Sequence, residues 1–147
     1  MKKRIIALGL LWCLSAVMLQ AARVDTVLVR SAAMNKDVKV VYVLPDKAIG
    51  KQACPVVYLL HGYGGNARSW VQLKPELPQM ADEKGIIFVC PDGKNSWYWD
   101  SPENPAYRYE TFVTSELVKY TDGNYATIPD RKARAISGLS MGGHGAL

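Results

Sequence analysis

The chain has 147 residues and a formal net charge of +5, from 18 basic and 13 acidic side chains. Three basic residues and no acidic ones lie within residues 1–22, so the rest of the chain carries 15 basic and 13 acidic side chains, or +2. A balance so close to neutral gives no reason to expect nucleic acid or an acidic surface as a partner. We predict one domain over residues 23–147, which is long enough to bury a core.

The first residues have the pattern of an export signal. A basic start (2–4) precedes an apolar stretch (5–19), and two alanines follow. This stretch suits a signal peptide and is shorter than the roughly 20 residues of a membrane span. We therefore predict a signal peptide over residues 1–22, export to the periplasm or the medium, and no stable membrane anchor. An uncleaved anchor is the alternative, because Leu19 is a poor residue three places before Ala22.

Four segments have the composition of strands. Val24–Arg30 and Asp37–Leu44 are rich in β-branched residues and are separated by a short turn at 33–36, which predicts an antiparallel pair. Pro55–Leu60 and Ile86–Cys90 are continuously apolar, as is typical of strands that are covered on both faces.

Two helices are predicted next to these strands. The first covers Glu76–Lys84 and ends at Gly85, which suits a left-handed cap. The second covers Arg108–Tyr120, with Gly123 near its end, and a strand at 133–137 follows. The apolar side of the second helix consists of Phe112, Val113, Leu117 and Tyr120. This order of elements predicts an α/β fold whose sheet is mostly parallel after an antiparallel start.

Cys54 and Cys90 are predicted to remain free thiols. If their two segments are parallel strands, the cysteines lie at opposite ends, because Cys54 precedes one run and Cys90 ends the other. The separation then exceeds the roughly 7 Å between Cα atoms that a disulfide allows.

The most informative motif is Gly138-Leu139-Ser140-Met141-Gly142, between the last predicted strand and a run of small residues. A sharp turn from strand to helix raises a serine hydroxyl to the tip of the turn, and the flanking glycines give the backbone the clearance that it needs. We predict that Ser140 is a catalytic nucleophile.

A glycine-rich loop, His61-Gly62-Tyr63-Gly64-Gly65, follows the third predicted strand. Such a loop lets the backbone approach a ligand closely and direct N–H groups at it. We predict that the backbone N–H groups of Tyr63 and Met141 form an oxyanion hole. His61, Gly62, Gly64 and Gly65 are predicted to support the loop, and a plain turn without a ligand is the alternative.

The segment Ser96-Trp97-Tyr98-Trp99-Asp100-Ser101 is rich in aromatic residues. Its aromatic rings can stack on a sugar ring or an aromatic acyl group, so Trp97 and Trp99 are candidate substrate-binding residues. The equally weighted alternative is that these side chains pack under their own loop. No cysteine–histidine spacing predicts a metal site, and no glycine-rich loop carries the lysine of a phosphate cradle.

Three motifs together resemble the esterase D group of α/β-hydrolases: residues 58–65, Cys90-Pro91-Asp92-Gly93 and residues 138–143. This group includes S-formylglutathione hydrolases, feruloyl and acetyl esterases, and mycolyltransferases. The resemblance implies an α/β-hydrolase fold with helices on both faces of the sheet, and no cofactor. It also implies an acyl-enzyme formed by the serine and released to water or another acceptor.

The chain departs from this family pattern in one respect. The family order is serine, acid, histidine, and only seven residues follow Ser140. We therefore expect the triad acid and base to lie outside this chain, which is predicted to be the N-terminal half of an enzyme, truncated after the elbow. His61 is expected to brace the oxyanion loop, and His144 to point along its helix away from the hydroxyl. The acidic residues Asp92, Asp100 and Asp130 precede the serine and are not assigned to the triad.

The sequence thus predicts an exported serine esterase that acts on small acyl esters or on acetyl or feruloyl groups of polysaccharide. The alternative from another class is a catalytically dead fragment or a non-catalytic carbohydrate-binding remnant. Within the same chemistry an acyltransferase remains open, and an S-formylglutathione thioesterase is disfavoured by export. The predicted partner is a small-molecule or carbohydrate ester, and the oligomeric state is left open.

Overall fold

The structure is a computed structural model that describes residues 22–147. The predicted signal peptide therefore lies outside the described residues, apart from Ala22. The strands are β1 (Arg23–Ser31), β2 (Lys36–Leu44), β3 (Val56–Leu60), β4 (Ile87–Pro91) and β5 (Arg134–Gly138). The α-helices are α1 (Asp46–Ile49), α2 (Ser69–Leu73), α3 (Leu77–Lys84), α4 (Tyr109–Thr111), α5 (Leu117–Asn124) and α6 (Met141–Gly145). A π-helical segment (Phe112–Glu116) joins α4 to α5, and a 3-10 turn (Arg131–Ala133) leads into β5.

The strands form one sheet in the order β1-β2-β4-β3-β5. Strand β2 is antiparallel to both of its neighbours, whereas β4, β3 and β5 are parallel to one another. All strands except β2 therefore run in the same direction, which confirms the predicted mostly parallel sheet. The carboxyl ends of β3, β4 and β5 consequently lie at the same edge, where ligands bind in open α/β sheets.

Helices cover both faces of this sheet, as predicted. The alternation along β2 sends Val40, Tyr42 and Leu44 to one face, where they pack with Phe112 and Leu117. It sends Val41 and Val43 to the other face, where they pack with Leu77 and Ala81 of α3. Two-sided burial explains why β3 and β4 are continuously apolar.

The helix ends differ in part from the predictions. Gly85 ends α3 with a φ of 65°, which confirms the left-handed cap. The second predicted helix runs on to Asn124, so Gly123 lies inside its last turn. Helices α1 and α2 were not predicted, because each spans at most five residues and lacks a regular apolar pattern.

Cys54 and Cys90 are both buried free thiols, as predicted. They lie at opposite ends of the neighbouring parallel strands, since Val56 pairs with Ile87.

Strand β5 forms the edge of the described sheet, where Ala135, Ile136 and Ser137 are exposed. Within residues 22–147, no helix has the length and apolar composition that a membrane crossing requires.

Candidate active site

Ser140 occupies the tip of a sharp turn between β5 and α6. Its backbone has a φ of 54° and a ψ of −114°, a strained conformation for a residue with a side chain. The two flanking glycines are required by close packing. A Cβ on Gly138 would lie 2.1 Å from the carbonyl carbon of Gly142, and a Cβ on Gly142 would lie 2.2 Å from the Leu60 carbonyl oxygen. The chain therefore turns directly against the end of β3.

The side chain of Ser140 is exposed, and its hydroxyl makes no hydrogen bond to any other residue in the range 22–147. The ring of His144, one turn along α6, packs edge-on against Trp97 with 5.6 Å between ring centroids. Neither described histidine is hydrogen-bonded to the serine.

Asp92, Asp100 and Asp130, the acidic residues that were weighed for the triad, each have a structural partner. Asp92 forms an ion pair with Lys94 at 2.8 Å. Asp100 accepts a hydrogen bond from the backbone N–H of Thr111 at 3.0 Å. Asp130 accepts one from the backbone N–H of Lys132 at 2.8 Å and caps the 3-10 turn.

The glycine-rich loop lies against this elbow. A Cβ on Gly62 would come within 3.3 Å of the Leu139 carbonyl oxygen and 3.7 Å of the Ser140 Cβ. Gly64 has a φ of 78°, and its N–H donates to Asn95 Oδ1 at 2.8 Å. The N–H of Gly65 donates to the Gly62 carbonyl at 3.0 Å. These two hydrogen bonds hold the loop in place at Gly64 and Gly65.

The N–H groups of Gly62 and Tyr63 have no hydrogen-bond partner among the described residues, and neither does that of Met141 at the start of α6. Backbone donors without partners are uncommon unless they face water or a ligand. These groups are therefore free to receive an acceptor atom beside Ser140.

His61 is buried beneath the loop and connects it to the end of β4. Its Nδ1 lies 2.7 Å from the Gly62 carbonyl oxygen, and its Nε2 lies 2.9 Å from the backbone nitrogen of Gly93. The carbonyl can only accept and the N–H can only donate, so Nδ1 carries the proton and Nε2 accepts. A neutral imidazole with both nitrogens engaged serves as a brace.

Asp92 lies beside this brace, with Oδ1 3.6 Å from His61 Nε2. Burial alone raises the pKa of the Asp92 carboxyl, but the two hydrogen bonds and the positive charge of Lys94 outweigh burial and hold the pKa well below its usual range. The backbone N–H of Lys94 donates to Oδ1 at 3.0 Å and its ammonium donates to Oδ2 at 2.8 Å. Asp92 therefore stays ionised, and its hydrogen bonds with Lys94 stabilise the turn after β4.

The hydrogen bond by which Tyr98 braces the site was not predicted from the sequence. Its hydroxyl accepts the backbone N–H of His61 at 3.0 Å. Its ring fills a slot between two glycines: a Cβ on Gly93 would lie 2.2 Å from the ring, and a Cβ on Gly145 would lie 2.5 Å from the Tyr98 Cβ. Burial raises the pKa of this hydroxyl well above its usual range, so it stays protonated. Tyr98 thus contacts the ends of β3 and β4 and helix α6 at once.

The aromatic residues of this segment differ in burial. Tyr98 is only 4% exposed and packs under the loop, whereas Trp97 and Trp99 are 47% and 51% exposed. Trp97 and Tyr98 both have a φ near 58°, which is uncommon for residues with a side chain. The two indoles line an open cleft of about 490 Å³ together with Glu110, Thr114 and His144. Within the described part of the chain, no group of three or more potential ligands is placed to hold a metal ion.

The comparisons with known proteins agree with this geometry. A model of the Esterase family matches residues 31–147. The acetyl esterase of Caldicellulosiruptor saccharolyticus is 30% identical over 125 residues, which cover 80% of this chain and 46% of that protein. The S-formylglutathione hydrolase of Bos taurus is 32% identical over 128 residues, which cover 73% of this chain and 44% of that protein.

Among solved structures, an S-formylglutathione hydrolase from Agrobacterium tumefaciens superposes with a TM-score of 0.75 at 28% identity. The superposition covers 87% of this chain and 54% of that one. The chain thus spans about half the length of the relatives that it matches. The match over residues 31–147, the shared α/β-hydrolase fold and the strained serine turn lead to one conclusion: this chain belongs to the Esterase family, in its esterase D-like group.

Proposed function

We propose that this chain supplies the nucleophile and the oxyanion-binding groups of a serine esterase. The Ser140 hydroxyl attacks the carbonyl of a carboxylic ester, the alcohol leaves, and water then releases the acyl group from the serine. The observation that carries this proposal is the backbone of Ser140. Strain of this kind persists only where the surrounding structure enforces it, and here it raises the hydroxyl into an exposed position beside unpaired N–H groups.

The oxyanion of the tetrahedral intermediate would be held by the backbone N–H groups of Tyr63 and Met141. Neither has a hydrogen-bond partner within residues 22–147, and they belong to segments that pack against each other through Gly62 and Leu139. The loss of one such donor typically costs about 3 kcal/mol of transition-state stabilisation. Because both donors are backbone groups, the bracing by His61 and Tyr98 sets their position.

We also propose that the acid and base of the triad lie outside residues 1–147. This proposal is supported by the engagement of His61 with Gly62 and Gly93, and by the packing of His144 against Trp97. A serine without a base keeps its proton at neutral pH, so this chain alone is expected to turn over esters very slowly.

For the substrate we propose a small acyl ester, or an acetyl or feruloyl ester of a polysaccharide, in an exported protein. The exposed faces of Trp97 and Trp99 support a ring-shaped group in the cleft beside the elbow. An acyltransferase would use the same residues and differ only in the acceptor of the acyl group.

A fluorophosphonate probe tests the nucleophile directly. The chain is incubated with the probe, with and without added imidazole as an external base, and the labelled residue is identified by peptide mass spectrometry. We expect slow labelling at Ser140 that imidazole accelerates, since a positioned general base typically contributes 10²- to 10⁴-fold.

Two variants serve as controls. Ser140→Ala must remove the label, and Ser137→Ala, an exposed serine on β5, must retain it. Equal labelling of several serines would contradict the nucleophile assignment. Fast labelling of Ser140 without imidazole would contradict the proposal that the base lies outside this chain.

A further inference from the structure

The first described residue, Ala22, is held in place by a carboxylate from helix α3. Its backbone nitrogen donates a hydrogen bond to Asp82 Oδ2 at 2.7 Å. The other oxygen of Asp82 accepts the backbone N–H of Asp46 at 2.9 Å. Asp82 thus joins the start of β1 to the start of α1.

The side chain of Ala22 is also fixed. The residue is 8% exposed and packs in the core cluster that contains Val41, Val43, Leu77 and Ala81. Strand β1 begins at the next residue, where Arg23 pairs with Leu44. Ala22 is therefore part of the folded domain: its backbone is hydrogen-bonded to Asp82, its side chain is buried, and it directly precedes strand β1.

We propose that the export signal is hydrolysed between Ala21 and Ala22, and that the new α-ammonium group of Ala22 forms an ion pair with Asp82. The proposal rests on the predicted export signal, moves its predicted end from Ala22 to Ala21, and is independent of the esterase chemistry. Water adds across the peptide bond, so Ala21 becomes the carboxylate end of the released signal and Ala22 gains the amine. Both Ala21 and Ala22 are small enough to precede the cut, and only a cut after Ala21 keeps Ala22 and its contact with Asp82 in the folded protein.

A cut one residue later would discard this arrangement. It would remove the buried Ala22 and start the protein at Arg23, whose guanidinium already pairs with Asp25 at 2.7 Å. A cut after Ala21 replaces an amide donor with a cation in the same place. An α-amino group is largely protonated at neutral pH, and hydrogen bonds between charged groups are roughly twice as strong as neutral ones. Asp82 lies in the last turn of α3, where the helix dipole also favours a cation.

The first test uses the complete chain, expressed in a bacterium with its own first 21 residues. The exported protein is isolated, and its intact mass and N-terminal sequence are measured. We expect the mature chain to begin Ala-Arg-Val-Asp. A mature chain that begins at Arg23 or elsewhere, or a precursor that is not cut, overturns the proposal.

The second test measures the ion pair in the exported product. The melting temperature is measured for this product and for its Asp82→Asn variant, before and after the α-amine is blocked with a reagent selective for N-termini. We expect blocking to lower the melting temperature only when Asp82 is present. The matched control is Glu83→Gln, the exposed neighbouring carboxylate, in which blocking should have its full effect. An equal effect of blocking in the Asp82→Asn variant overturns the ion pair.

Discussion

The Tyr98 hydroxyl accepts a hydrogen bond from the backbone N–H of His61, a residue 37 positions earlier in the chain. The two rings also meet edge-on, with 5.7 Å between their centroids. The loop proposed to bind the oxyanion and the loop that displays Trp97 are therefore joined by one buried contact. Movement of the aromatic loop would move the donors that the chemistry requires.

Tyr98→Phe should destabilise the protein because it leaves the buried N–H of His61 without an acceptor. The expected loss is about 1–3 kcal/mol in the free energy of unfolding, measured by urea denaturation. Tyr58→Phe is the matched control. The Tyr58 hydroxyl is buried and has no hydrogen-bond partner within residues 22–147, so its removal should be neutral or stabilising. Equal losses in the two variants would contradict the role given to Tyr98.

Gly142→Ala should prevent the elbow from forming. The new Cβ would lie 2.2 Å from the Leu60 carbonyl oxygen, a backbone atom that cannot move without distorting β3. We expect a loss of about 3 kcal/mol in the free energy of unfolding, at the upper end of what overpacking costs. Gly123→Ala is the control, because its Cβ meets nothing within 4 Å and the site is in helix α5. That variant should gain about 0.5–1 kcal/mol.

Asp92 should contribute to acid unfolding. Its pKa is lower in the folded protein than the ordinary value of 3.8, so its contribution is complete above about pH 4 and is lost as the pH falls toward the folded pKa. Asp92→Asn should therefore weaken the dependence of the unfolding free energy on pH below pH 4. Glu76 also has a lowered pKa, from a hydrogen-bonded surface contact with Lys74. The effect of Glu76→Gln should vanish in about 1 M salt, whereas that of Asp92→Asn should persist.

The two thiols should be unreactive in the folded protein, even under oxidising conditions. Burial raises the pKa of Cys90 to about 12 and also raises that of Cys54, so very little thiolate is present at neutral pH. Titration of a protein that consists of residues 22–147 with a disulfide reagent should modify neither cysteine until urea is added. A mass two daltons lower without reductant would reveal a disulfide and contradict the strand register.

Much of the framework follows from local patterns. Continuous apolar runs predicted β3 and β4, the β-branched pair predicted the β1–β2 hairpin, and Gly85 predicted the end of α3. These features depend on neighbours in the chain and on burial, which composition reveals. The position of Ser140 between a strand and small residues predicted the turn for the same reason.

The bracing of the site was harder to predict, because its contacts join distant backbone atoms. Nothing in the sequence indicates that Trp97 and Tyr98 adopt a left-handed backbone, since neither is a glycine or an asparagine. The hydrogen bond from Gly64 to Asn95 and the one from His61 to Tyr98 each join residues that are more than 30 positions apart in the chain. Only the sheet order, which brings the ends of β3 and β4 together, makes these contacts possible.

The slot around Tyr98 also limits how this protein can change through mutation. Gly93 and Gly145 each leave no room for a Cβ while Tyr98 fills the space between them. A methyl group on residue 93 would meet the far end of the Tyr98 ring and becomes tolerable only after residue 98 has become smaller, whereas one on residue 145 would meet the Tyr98 Cβ, which every residue except glycine keeps. Positions 93 and 98 therefore form an epistatic unit, in which the order of substitutions decides whether the intermediates fold.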